Sequence, residues 1–451
     1  MKVAWFSPFS RESAIGQYSA IIVERLTQVA EIVLCAPDIS SREEAWLPDF
    51  PLVLLPSASD RDVDRILHNS DIVIYNLGDH LGFHGDIYEC SRRAPGLVIL
   101  HDLVMHHFFA GYYWERKRQR LEYVRELTFA HGAAGASLGQ SMIAGQSGDA
   151  WDRSVMLEFH MARSAIHGAY GVVVHSDFAF AALAQVAEAP VQRIRFPRPM
   201  TSLRTLEEER PNGPGRARTA RFLTIGVVNP NKMVLEVART FARSHRLRAS
   251  ATYDVIGPLT HAPYHQELER TLAEQHLDGT VTLLGYQPGA ILEEHLTDCD
   301  VVVNLRNPHF GESSWSLVEA LHLGKPTLVW AHGFYDEVPD DVVVKIRTIG
   351  ELQPALERLA QDAAWRMAIG ARAREYAVST FTTERYCEEL LDFIQATRYN
   401  TPALQLADRM ADRLLEVEAD RGEPAAIERV IEEISRLACP SAEDLGPLKA
   451  A

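Results

Sequence analysis

A turn that combines a glycine, two asparagines and a lysine is the strongest chemical signal in the 451-residue chain. In FLTIGVVNPNKMVLEVARTFA a strand pattern ends at Gly226, an Asn-Pro-Asn turn starts at Asn229, and Lys232 leads into an amphipathic helix. Backbone N–H groups at a strand-to-helix turn face the positive end of the helix, and the lysine adds a full charge. The turn is suited to bind a diphosphate, although an ordinary βα turn with a solvated lysine has the same pattern.

A second signal is the segment VVVNLRNPHFGESSWSLVEALHLGKP, where a strand pattern meets a polar loop and then a helix. Ser313 and Ser314 are good helix caps whose amides can face an anion. Glu319 lies further along the helix, where its carboxylate can accept both hydroxyls of a ribose. In isolation, Glu312 and Glu319 are equally compatible with surface charges that complement the helix dipole.

Composition limits the classes of function. The formal net charge of -16 and the sequence pI near 5.6 oppose a general attraction to nucleic acid or anionic lipid. The five cysteines are far apart and never form a CxxC pair, which indicates neither a disulfide framework nor a zinc site and fits a reducing cytoplasm. We expect neither a signal peptide nor a membrane-spanning helix.

Short β-rich runs alternate with longer helical stretches, which is typical of two doubly wound α/β domains. We predict a first domain over 1–205, a Pro- and Gly-rich linker over 206–218, a second domain over 219–380 and helices over 381–451. The predicted strands of the first domain are Val3–Phe6, Ile32–Cys35, Ile72–Tyr75, Leu97–Leu100 and Val172–Val174. Those of the second are Phe222–Val227, Tyr253–Ile256, Val281–Leu284, Val301–Leu305 and Thr327–Trp330.

Taken together, these residues resemble the retaining glycosyltransferases of family 4, which have the GT-B fold of two facing Rossmann-like domains. The resemblance covers the chain from residue 1 to about 395. In the first domain, SAIGQYS supplies the family's glycine-rich turn with Gly16 and Tyr18, and LVILHDLVMHHFF supplies its cleft histidine as His101, followed by Asp102. The segment YNLGDHLGFHGDIY is similar to a polar loop that lines the cleft in one subgroup.

In the second domain, Lys232 matches the family's diphosphate-binding lysine, but the usual arginine position falls within Gly226-Val227-Val228 and is not arginine. Glu319 takes the ribose-binding place of the family's paired glutamates. Glu312 lies one residue from the other place, and we assign it to the donor sugar.

The resemblance thus implies a complete set of site residues. The predicted catalytic residues are His101 and Glu312. The predicted donor-binding residues are Gly16, Gly226, Asn229, Lys232, Gly285, Ser313, Ser314 and Glu319. The predicted acceptor-side residues are Tyr18, Asn76, Asp79, His84 and Asp102.

The implied reaction moves a sugar from a nucleoside-diphosphate sugar to a hydroxyl of a glycan, a lipid-linked glycan or a small molecule, with no cofactor and no essential metal. A nucleotide-sugar epimerase or hydrolase, and a non-catalytic nucleotide-sugar-binding protein, remain as alternatives. The segment HHFFAGYYWERKRQRLEYVREL is compatible with peripheral membrane contact, but inward packing of its aromatics is favoured. We expect a cytoplasmic protein with no nucleic-acid partner.

Overall fold

The first of two parallel sheets is built from the N-terminal part of the chain. The computed structural model describes residues 1–11, 13–46, 49–55, 59–146, 155–198 and 219–397. Within these ranges the sheet has seven strands in the order β3-β2-β1-β4-β5-β6-β7. They are β1 Lys2–Phe6, β2 Glu31–Ala36, β3 Leu52–Leu54, β4 Ile72–Leu77, β5 Leu97–Leu100, β6 Gly171–Val174 and β7 Val191–Arg193.

The second sheet follows the same winding. Within the described ranges it has six parallel strands in the order β10-β9-β8-β11-β12-β13. They are β8 Ala220–Ile225, β9 Ala251–Ile256, β10 Val281–Gly285, β11 Val301–Asn304, β12 Thr327–Trp330 and β13 Val344–Ile346. The predicted linker over 206–218 and the tail beyond residue 397 lie outside the described residues, so the domain boundaries stay predictions.

Helices cover both faces of each sheet, as a parallel sheet requires. Along β1, Trp5 belongs to the apolar core on one face, while Ala4 and Phe6 belong to the core on the other. The helices of the first part are Ala14–Leu26, Asp60–Asn69, Leu81–Arg93, His106–Ala110, Arg120–Ile143, Val155–Glu158, Ala162–Ile166 and Asp177–Leu183. Those that follow are Val234–Arg243, His245–Ser250, Ala262–Glu274, Gly289–Asp298, Trp315–His322, Leu352–Gln361, Ala363–Thr380 and 383–397.

The ten predicted strands are confirmed, with ends that shift by a few residues. For example, β8 ends at Ile225 rather than Val227 because Gly226 turns the chain with a positive φ of 99°. β3, β7 and β13 were missed, since each has only three residues and too short an apolar run. None of the helices in the described part of the chain is long and apolar enough to cross a membrane.

The helical C-terminal extension returns to the first sheet. Leu390, Phe393 and Ile394 of the helix over 383–397 belong to the same apolar core as Trp5 of β1. The hydroxyls of Tyr386 on this helix and Tyr18 are hydrogen-bonded. The last described helix thus packs on the N-terminal sheet although it follows the C-terminal one.

The winding fixes where a ligand can bind. In each sheet the strand order reverses between two neighbouring strands, β1 and β4 in the first and β8 and β11 in the second. Doubly wound sheets bind ligands in the crevice at the carboxyl ends of such strands.

We predict that Gly171→Val destabilises the protein by about 1–3 kcal/mol, because overpacking a filled core forces neighbours apart. A Cβ at Gly171 would lie 2.7 Å from Thr397 Cγ2 and 2.9 Å from Phe393 Cζ, on the returning helix. Urea unfolding measures the effect. Gly350→Ala is the control because its new Cβ makes only an ordinary contact of 3.9 Å. Equal stability of both variants would contradict the packing of this helix.

Candidate active site

A cavity of about 890 Å³ lies where the carboxyl ends of the two sheets face each other. Residues from both sheets line it, so it is an interdomain cleft. The N-terminal wall includes Arg11, Ser13, Gln17, Trp46, Phe83, Asp79 and Asp102. The C-terminal wall includes Gly226, Asn229, Lys232, Tyr286, Arg306, Glu312, Ser313, Ser314 and Glu319.

Lys232 is buried in the C-terminal wall, with 4% of its surface exposed. Its ammonium donates a hydrogen bond to the carbonyl of Ile225, the last residue of β8. A Cβ on Gly226 would lie 2.8 Å from the Lys232 Nζ, which explains why a glycine precedes this turn. Burial, together with the nearby Arg306 guanidinium, holds the pKa of Lys232 well below its usual value. An anion in the cavity would relieve this penalty.

Arg306 is a charged residue of the cavity that the sequence analysis missed. It follows β11 by two residues, and its guanidinium forms an ion pair with the Glu312 carboxylate, with 3.1 Å between Nε and Oε1. The other carboxylate oxygen, Glu312 Oε2, accepts a hydrogen bond from the Phe310 N–H at 2.7 Å. The sequence signal that could have identified Arg306 is its position just after a strand, in the segment that also contains Glu312.

The helix Trp315–His322 brings Ser314 and Glu319 to the same wall. Ser314 is its N-cap, since the Ser314 side chain accepts a hydrogen bond from the Leu317 N–H. Glu319 and Ser313 line the cavity with Lys232. The structure therefore brings together the lysine, the capped helix start and the carboxylate that the two segments predicted, and Asn229 joins them.

Two carboxylates stand on the opposite wall. The Asp79 N–H donates to Asp102 Oδ2 at 2.9 Å, and Asp79 Oδ1 accepts from the Phe108 N–H at 3.0 Å. Burial, then the neighbouring Asp79 and Glu312 carboxylates, raises the pKa of Asp102 to about 7. Both residues lie in the cleft as predicted from their sequence segments.

His101, Asn76 and His84 do not line the cavity and need a correction. His101 Nε2 donates to Asn76 Oδ1 at 3.0 Å. Asn76 and His84 are fully buried, because the end of β4 is covered by the helix Leu81–Arg93. Burial and the neighbouring His175 hold the pKa of His101 well below its usual value. These three residues form a polar layer beneath the cleft wall.

Gly16 and Tyr18 are also placed differently from the expectation. They lie inside the helix Ala14–Leu26 and are buried. A Cβ on Gly16 would lie 2.8 Å from the Ser10 carbonyl oxygen and 3.0 Å from the Trp46 ring, so the glycine allows close packing.

The cavity is lined instead by Ser13 and Gln17, which stand at and near the start of this helix. Gly285 ends β10 with a φ of 66°, and its neighbour Tyr286 lines the cavity in its place.

Contacts between the sheets hold the two walls in register. Trp315 Nε1 donates to Gln17 Oε1 at 2.7 Å, and the Val104 N–H donates to the Phe310 carbonyl at 3.2 Å. Within the described ranges, no group of three or more His, Cys, Asp or Glu residues is arranged to hold a metal ion. The expectation that no essential metal takes part stays a prediction.

Comparisons with known proteins agree on the fold. Residues 207–376 match the family of group 1 glycosyl transferases. A search of curated proteins finds no similar sequence. HepE of Anabaena, solved in complex with UDP and glucose, is 15% identical with a TM-score of 0.58, and the match covers 88% of this chain and 100% of HepE.

Two further solved structures are similar at a comparable level. Sucrose-phosphate synthase from Thermosynechococcus elongatus is 14% identical with a TM-score of 0.55, over 88% of this chain and 98% of that one. WaaG, a glycosyltransferase of lipopolysaccharide biosynthesis, is 14% identical with a TM-score of 0.54, and the match covers 87% of this chain and 99% of WaaG. The chain has the GT-B fold, and the match of residues 207–376 to a glycosyl transferase family supports a glycosyltransferase activity.

The raised pKa of Asp102 makes stability depend on pH. A carboxyl whose folded pKa is raised from 3.8 to about 7 stabilises the fold only while it is protonated, and this contribution is lost as pH rises through that interval. Asp102→Asn removes the loss and keeps an oxygen that accepts the Asp79 N–H.

Thermal unfolding is therefore expected to show that Asp102→Asn gains stability relative to the wild type between about pH 4 and about pH 8. The exposed Asp278→Asn is the control. A difference between Asp102→Asn and the wild type that does not change with pH would show that the carboxyl titrates normally.

Proposed function

We propose that the protein transfers a sugar from a nucleoside-diphosphate sugar to an acceptor hydroxyl with retention of the anomeric configuration, as family 4 glycosyltransferases do. The observation that carries the proposal is the shared lining of one interdomain cavity by Lys232, the start of the helix Trp315–His322 and Glu319. These groups suit a diphosphate and a ribose. HepE has been solved with UDP-glucose, which supports a donor of this class.

The chemistry follows from where charge develops. When the bond between the sugar and the diphosphate breaks, negative charge grows on the departing phosphate, and preorganised cations and N–H donors at that place lower the barrier. Lys232 and the amides around Ser313 and Ser314 are the groups we assign to this role. In the front-face mechanism, the departing phosphate also takes the proton of the acceptor hydroxyl.

The opposite wall is assigned to the acceptor. Asp79 and Asp102 offer carboxylate oxygens, and Trp46 and Phe83 offer rings, on the side that faces the donor groups. Carboxylates and aromatic faces fit a hydroxyl-rich acceptor such as a glycan or a small sugar. His101 precedes Asp102 and hydrogen-bonds to Asn76, so we assign to His101 the positioning of Asp102.

A cytoplasmic location is supported by Cys35, Cys90, Cys299 and Cys387, which are buried free thiols. Peripheral membrane contact through the basic segment has less support. Arg116 and Lys117 both pair with Glu89 of the same domain, at 3.3 Å and 2.8 Å, which favours packing within the domain over binding to anionic lipid.

The donor assignment predicts that Lys232→Met and Glu319→Gln each weaken binding of a nucleoside diphosphate by about tenfold to a hundredfold, the cost of one charge-assisted hydrogen bond. A thermal-shift screen of UDP, GDP and ADP identifies the nucleotide, and calorimetry measures the affinities. Glu274→Gln, an exposed residue of the helix Ala262–Glu274, is the control. Unchanged affinity in both site variants would remove the donor assignment.

The acceptor assignment predicts that His101→Ala lowers the turnover number and leaves the nucleotide affinity unchanged, since His101 lies below the wall. Steady-state kinetics with a panel of sugar acceptors, together with calorimetry, separates the two effects. An unaltered turnover number would reject this role.

The reaction type is tested by NMR of the product. Retention predicts a product whose new bond has the anomeric configuration of the donor. An inverted product would contradict the mechanism. An epimerised nucleotide sugar would indicate an epimerase, and free sugar released in the presence of acceptors would indicate a hydrolase. Binding without turnover would indicate a non-catalytic protein.

A further inference from the structure

The turn after β8 offers one cation to a ligand that carries several negative charges. Lys232 is that cation, and the neighbouring cavity residues Gly226 and Val227 are uncharged. Val227 is 44% exposed. A diphosphate bound at this turn alone would leave much of its charge unbalanced inside a partly closed cavity, where unpaired charge is costly.

Arg306 provides a second cation in the same wall, from a different strand. It follows β11, the neighbour of β8 in the sheet, and lines the cavity together with Lys232. Burial first, and then the charge of Arg306, lower the pKa of Lys232. The side chain of Arg306 is only 16% exposed, so its direction is set by the protein rather than by solvent.

Glu312 determines how Arg306 presents its donors. The Glu312 carboxylate forms an ion pair with the guanidinium at Nε, 3.1 Å from Oε1, and Arg306 Nη1 donates to the Leu305 carbonyl at 3.5 Å. A guanidinium has five N–H donors in a fixed plane, so one edge can bind Glu312 while another binds a phosphate oxygen. One Glu312 oxygen forms the ion pair with Arg306 and the other accepts a hydrogen bond from the Phe310 N–H, so part of the capacity of the carboxylate to accept hydrogen bonds from a donor sugar is already used.

Building on the proposed function, we propose that Arg306 is the second diphosphate-binding cation, in place of the arginine missing after β8, and that Glu312 is a positioning residue that orients it. This replaces the sugar-binding role expected of Glu312. The electrostatic task of the missing arginine is thereby carried out from β11.

Arg306 is tested by calorimetric titration with UDP, GDP, ADP and inorganic pyrophosphate. Arg306→Gln is expected to weaken binding of pyrophosphate and of the preferred nucleotide by about tenfold to a hundredfold, and Arg306→Lys by less. Affinity for the nucleoside without phosphates should not change. The exposed Arg248→Gln, on the helix His245–Ser250, is the matched control, and circular dichroism confirms that each variant is folded.

Glu312 is tested with a double-mutant cycle. Glu312→Ala should lower the affinities for the nucleoside diphosphate and for its sugar conjugate by the same factor, and the effect should disappear in the Arg306→Gln background. A sugar-binding role would instead lower only the affinity for the sugar conjugate, and would persist without Arg306. That second pattern would overturn the positioning role.

The outcomes distinguish this inference from the function on which it rests. If the wild type binds a nucleoside diphosphate and Arg306→Gln binds it equally well, the role of Arg306 is wrong while the proposed function stands. If the wild type binds neither a nucleoside diphosphate nor pyrophosphate, the proposed function fails, and the roles of Arg306 and Glu312 fail with it.

Discussion

The arrangement of the site depends on positive charge buried at the carboxyl ends of β8 and β11. Lys232 has 4% of its surface exposed and the Arg306 side chain 16%, and two like charges in such a wall oppose each other. Glu312 offsets part of this cost by pairing with Arg306, and the Ile225 carbonyl accepts a hydrogen bond from Lys232. An anionic ligand bound between the two cations would offset the remaining repulsion between them.

The rest of the molecule positions this wall against a second one. The reversal of strand order puts both cations at the point where a doubly wound sheet opens. The hydrogen bonds from Trp315 to Gln17 and from Val104 to Phe310 then set the spacing between the walls. Across the cleft, burial first, then Asp79 and finally Glu312 raise the pKa of Asp102. The two cations and the two aspartates thus lie on different sheets and face each other across the cleft.

Sequence reasoning succeeded where the signal is local. Strands with continuous apolar runs, the turn at Gly226 and the capped helix start at Ser314 are each set by neighbouring residues, so they could be predicted, as could the cavity positions of Lys232 and Glu319. It failed where tertiary packing determines the position of a residue. Nothing near Asn76 in the chain shows that a helix buries it, and only the neighbouring position of β8 and β11 shows that Arg306 lies beside Lys232.

The central claim is that one diphosphate lies between cations from two adjacent strands. A crystal structure of the wild type with its preferred nucleoside diphosphate tests it most directly. The account predicts phosphate oxygens within hydrogen-bonding distance of both the Lys232 ammonium and the Arg306 guanidinium, with the ribose hydroxyls on Glu319. A nucleotide bound to the wall of Asp79 and Asp102, or with its phosphates directed away from both cations, would contradict it.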